Sequence, residues 1–163
     1  MMKFKGVLVT TVFVIMSGLG CSFAAAEYQL TIFPEGKGYQ SIQRGNAREI
    51  LADFEYGRLR PRDFLDLNNI CVSQILANRL ENAILSCRKA VEQVPGSRTV
   101  AKLSKRKALA TIYSNLAVAR AKSGDLQGAL NDLGVALNSY SPNSSAKINM
   151  DQITSMLVAD LQD

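Results

Sequence analysis

Histidine is absent from the 163 residues, which removes imidazole bases, His-containing triads and His-ligated metals together. Few side chains with specific chemistry are left. Cys71 and Cys87 stand close in sequence, with Cys21 far upstream, and Asn69 and Asn115 occupy matching contexts. An asparagine amide both donates and accepts hydrogen bonds, so its chemistry is recognition rather than bond making. The scattered Asp, Glu, Lys and Ser residues form no nucleophile motif, phosphate loop or metal-ligand cluster. The expectation is a protein that is not an enzyme and holds neither cofactor nor metal.

The two asparagines open the halves of an internal echo. Asn-Ile-Cys-Val at 69–72 leads through Asn78-Arg79-Leu80 to Ala83-Ile84, Cys87 and Ala90-Val91. Asn-Leu-Ala-Val at 115–118 leads through Gly124-Asp125-Leu126 to Ala129-Leu130, Leu133 and Ala136-Leu137. Corresponding residues are always 46 positions apart. Leu67, Ile70, Cys71, Gln74 and Ile75 fall on one helical face behind Asp63, a fitting N-cap. Leu80, Ala83, Ile84, Cys87, Val91 and Val94 make the return face, closed by Pro95-Gly96. In the second half Leu109, Ile112, Tyr113, Leu116 and Ala117 lead to a turn at Ser123-Gly124-Asp125. Links this short predict antiparallel helical hairpins.

Cys71 lies seven residues before Asn78, and Cys87 eight after Arg79. In an antiparallel hairpin those positions reach the same height. They predict a disulfide worth roughly 3 kcal/mol, with two buried thiols as the alternative.

Residues 1–26 read as a secretory signal. Lys3 and Lys5 precede an apolar run at 7–16, and Ala24-Ala25-Ala26 predicts cleavage before Glu27. Gly18-Leu19-Gly20-Cys21 resembles a bacterial lipobox, but Gly18 stands where leucine is usual, so soluble export to the periplasm ranks ahead of a lipid anchor at Cys21. No later apolar run approaches the ~20 residues of a membrane span. The net charge of +5 falls to about +3 once the two lysines are removed.

Residues 27–61 form an N-terminal part in which Tyr28, Leu30 and Ile32 alternate with Gln29 and Thr31 before Pro34 and Gly36-Lys37-Gly38. This predicts a short extended segment and a turn, lying along the first helices. Two helical pieces broken at Gly45-Asn46 follow. A basic insertion at 96–107 carries Arg98, Lys102, Lys105, Arg106 and Lys107; with no aromatic interleaved, it reads as a solvated helix face and not a nucleic-acid site. At 143–163, Ser144 or Ser145 can cap a last helix with Met150, Ile153, Leu157 and Leu161 on one face.

Tyr113, Leu116-Ala117, Gly124-Asp125, Ala129, Leu133 and Ala136-Leu137, with Leu67, Ile70-Cys71, Ala83, Cys87, Ala90 and Pro95 before them, resemble the tetratricopeptide repeat (TPR) family. The spacing of 46 exceeds the family's unit of ~34, and the basic insertion accounts for the excess. Degenerate upstream echoes join Ile50 to Ile84 and Pro61 to Pro95. The resemblance implies an all-α fold: a short right-handed superhelical array of antiparallel hairpins over 62–142, with 143–163 as a C-terminal capping helix. It implies a groove on the first helices, where Asn69 and Asn115 occupy a position whose amide often contacts bound backbone. Val72, Ile75, Val118 and Lys122 would share that surface. The partner expected is another protein or a peptide, with an envelope-complex subunit or a homo-oligomer as the alternative; a hydrogen bond within the repeat is the competing role for the asparagines.

Overall fold

In the computed structural model, residues 27–97 and 102–160 are described. The expected targeting segment with Cys21, and the residues Arg98 and Leu161, lie outside them. The described chain is all-α, with no strand. Its helices are α1 (Tyr39–Gln43), α2 (Ala47–Glu55), α3 (Phe64–Leu76), α4 (Leu80–Gln93), α5 (Lys102–Lys122), α6 (Leu126–Ser139) and α7 (Ser144–Asp160).

Local chemistry sets these boundaries. Gly45, in the left-handed region, separates α1 from α2 at the expected break. Asp63 caps α3 by accepting from the backbone N–H groups of Leu65 and Asp66. Asn78, at φ 58°, turns the chain from α3 to α4, and Gly124, at φ 91°, turns it from α5 to α6. Asparagine and glycine are the residues that tolerate that conformation.

The α3–α4 pair is antiparallel, since Cys71 and Cys87, on either side of the turn, meet at disulfide distance with Cα atoms 5.3 Å apart. α4 packs between α3 and α5, and α6 between α5 and α7, while α3 touches α5 and α5 touches α7. One core joins Phe64, Leu67 and Cys71 to Ala83, Cys87, Val94 and Ile112; a second joins Ala117, Ala129, Leu133, Ala136 and Ile153. The alanines let neighbouring helices approach closely.

Two details differ from the expectations. α7 is capped by Asn143, whose Oδ1 accepts from the Ala146 N–H at 3.0 Å, not by Ser144 or Ser145. Ser145 Oγ instead meets Thr31 Oγ1. Of the basic residues, Arg106 and Lys107 are exposed and Lys105 is half-buried, and two of them are also bonded: Lys105 donates to the Pro95 carbonyl and Arg106 to the Ser139 carbonyl. Those cations sit where the carbonyls just beyond α4 and at the end of α6 are short of donors.

Candidate functional site

Residues 27–33 run in extended form across α7, α5 and α3 in turn, held by one buried asparagine from each helix. Asn149 Oδ1 accepts from the Gln29 N–H at 2.8 Å, and its Nδ2 donates to the Gln29 carbonyl at 2.9 Å. Asn115 does the same for Thr31, at 3.0 and 2.8 Å. Asn69 does the same for Phe33, at 2.8 and 2.9 Å. Each amide satisfies both backbone groups of one residue, as a neighbouring antiparallel strand would. The gripped residues alternate because a strand turns the same edge to one side every second residue.

The floor beneath is a closed polar network. Asn68 donates to the Thr31 carbonyl at 3.1 Å and accepts from Asn115 Nδ2 at 2.8 Å. Asn149 Nδ2 also reaches Ser114 Oγ at 3.1 Å. Asn68, Asn69, Asn115 and Asn149 are fully buried. Such amides are tolerated in a dry interior only when bonded, and here the bonds come largely from the extended backbone.

The segment ends in a turn anchored on α3. Asp66, also fully buried, accepts from the backbone N–H groups of Lys37 at 2.7 Å and Arg62 at 3.0 Å, and from the Arg62 guanidinium at 2.9 and 3.0 Å. Burial pushes its carboxyl up, but these donors outweigh burial and hold it below the ordinary value of 3.8. Gly36 lies directly over Asn69: a Cβ there would come within 2.6 Å of Asn69 Nδ2 and 2.7 Å of the Leu65 carbonyl.

The side chains flank the floor. Leu30 and Ile32 pack with Ile42, Ile50 and Val72. Glu27, Tyr28, Leu30, Ile75, Leu76, Val118 and Lys122 line a cleft of ≈ 460 Å³ on one side of the segment. On the other side Phe33, Glu35, Phe64, Leu65, Ser104, Lys107, Ala108 and Thr111 line one of ≈ 500 Å³. Phe33 meets Phe64 edge to face, with ring centroids 5.9 Å apart.

The structure therefore gathers the expected surface around one object. Asn69 and Asn115 hold the backbone of the chain's own N-terminal segment. Val72 is buried under that segment, Ile75 and Val118 are buried in the cleft wall, and Lys122 is exposed at its rim. Asn149, Asn68 and Asp66 are additional residues of the site. Asn149 had a sequence signal, because it stands 34 positions after Asn115, the repeat length of the family resembled. Among the described residues no cluster of His, Cys, Asp and Glu could hold a metal ion. No helix of the described residues is long and apolar enough to cross a membrane.

No family model matches the chain, and neither a curated protein nor a solved structure matches it.

Proposed function

We propose that this chain is a non-enzymatic protein–protein interaction scaffold of the cell envelope, exported by its N-terminal signal, that binds the extended backbone of a partner through a TPR-like groove. The observation that carries this reading is the three-asparagine ladder: each amide grips both backbone groups of one residue, at every second residue. A grip on backbone accepts many sequences, with selectivity left to the flanking clefts. A short superhelical array is supported by the same bonds. Packed helix axes lie ~8–10 Å apart, whereas alternate strand residues are only ~6.8 Å apart, so the asparagine tips converge as they do on a concave face.

In the resting chain residues 27–33 fill the groove, so a partner strand enters by replacing them. Thr31→Pro tests this, because proline deletes the N–H that Asn115 accepts and leaves the asparagines intact. A fluorescent peptide of sequence 27–38, added to the full chain, is expected to bind Thr31→Pro at least tenfold more tightly than wild type by polarisation. Adding Asn115→Ala to that variant is expected to abolish the gain. Equal, weak binding to wild type and Thr31→Pro would remove the groove reading.

A further inference from the structure

The three asparagines read only an extended backbone, but α3 reads more. Where the segment leaves the ladder, residues 33–36 close a β-turn in which the Gly36 N–H donates to the Phe33 carbonyl at 3.1 Å. Proline at the second place and glycine at the fourth are residues that such a turn favours. Asn69 Nδ2 donates to the carbonyls on both sides of the turn, of Phe33 at 2.9 Å and of Lys37 at 3.3 Å. The Lys37 N–H goes to Asp66 Oδ1 at 2.7 Å. A Cβ on Gly36 would lie 2.7 Å from the Leu65 carbonyl oxygen and 2.9 Å from its carbon, and backbone inside a helix cannot step aside. The other two helices have no equivalent. At the place of Asp66, three before the asparagine, α5 carries Ile112 and α7 carries Ala146.

We infer that α3 makes the groove selective for a partner protein whose extended run closes in a Pro-x-Gly turn, with Asp66 as the specificity-determining residue. A partner that ran straight on would leave the buried Asp66 carboxylate short of a backbone donor, and a buried acceptor without its donor is costly. A side chain at the glycine's place would meet the Leu65 backbone. Direction follows as well. An amide can turn over to serve reversed N–H and C=O groups, so the turn alone fixes which end of the partner lies on α3. This selectivity presupposes the strand entry at the asparagine ladder proposed above.

Polarisation titrations of labelled peptides against the full chain carrying Thr31→Pro test this. The peptide 27–38 is expected to bind about tenfold more tightly than the same peptide with Gly36→Ala, because the overlap with backbone cannot be relieved. An ester in place of the Gly36–Lys37 amide, which deletes the donor to Asp66, should also weaken binding about tenfold. An ester at Pro34–Glu35 should change it by less than about twofold, since among the described residues nothing bonds to the Pro34 carbonyl or the Glu35 N–H. Pro34→Ala in the peptide should cost about two- to fivefold, by loosening its free form. Placed in the chain beside Thr31→Pro, Gly36→Ala should act in the opposite sense and tighten the unmodified peptide, since the resident turn no longer competes. The peptide comparisons stand even if that second variant fails to fold. Equal binding of the peptide and its Gly36→Ala form, or a Gly36–Lys37 ester that costs nothing, would overturn the selectivity and leave the groove standing. Binding of no peptide would remove groove and selectivity together. A wild-type dimer, seen by sedimentation, that excess peptide 27–38 dissociates would put a second copy in the groove and overturn the foreign partner.

Discussion

In the first hairpin the slot between the helices holds Cys71 and Cys87; 46 positions later the equivalent slot holds Ala117 and Leu133. One site is closed by a cross-link and the other by packing of a small residue against a large one. The turns differ in the same way. Asn78 and Gly124 both take the left-handed conformation, but only the second turn continues into a side-chain cap, from Asp125 to the Gly128 N–H at 2.9 Å. Arg79, the counterpart of Asp125, caps nothing and pairs with Glu55. On the facing side Asp66 binds the segment's turn, while its counterpart Ile112 is plain core. Both hairpins thus grip the extended segment, through Asn69 and Asn115, but only the first also anchors its turn. A shared backbone slot therefore accepts unlike chemistry provided its volume is filled.

The largest expected effect comes from breaking the cross-link. Reducing Cys71–Cys87 should lower unfolding stability by about 3 kcal/mol, read as a shift in the urea midpoint. Transplanting the second hairpin's solution, Cys71→Ala with Cys87→Leu, should give a protein indifferent to reductant and within about 1 kcal/mol of the reduced wild type. Cys71→Ala with Cys87→Ala should fall roughly 2 kcal/mol lower, from the cavity left behind. Should the two double variants prove equally stable, the slots are not equivalent.

A smaller effect attaches to the turns. Asp125→Ala should cost about 1 kcal/mol in thermal or urea unfolding, and Arg79→Asp should gain up to about 1 kcal/mol by giving α4 the cap that α6 has. The exposed pair with Glu55 is worth less than that gain.

Acid should separate the hairpins most gently. Asp66 has its folded pKa held below 3.8, so its contribution is complete above that value and is lost as pH falls through the depressed folded value. Asp132 in the second hairpin is shifted the other way: burial raises it more than Arg120, 2.8 Å away, lowers it. Protonating it on acidification favours the folded state. Below pH 3.8 the Lys37 amide should therefore exchange faster before the α5–α6 amides do, and Asp66→Asn should remove that pH dependence.

The hairpins were legible in the sequence because buried faces repeat at helical spacing, turn residues are few, and both copies carry the same small residues. The role of α7 was harder to read. It lacks a return helix, so the echo has no second half, and the apolar residues Met150 and Ile153 dominate the pattern around Asn149. The occupant of the groove was legible only as an alternation of Tyr28, Leu30 and Ile32. The bonds that place it use backbone, and backbone leaves no trace in residue type. Asp66 and Asn68 were not legible as site residues, because the bonds that tie them to the segment and its flank include backbone groups of residues 31, 37 and 62.

The ladder of asparagines also sets a unit of motion. Shifting the segment by one residue turns every gripped N–H and C=O away from the floor, whereas shifting it by two, about 7 Å, restores the pattern. An extended chain crossing this floor is therefore held in discrete steps, like a pawl on a rack, with the turn at Gly36 and Asp66 as the stop at one end.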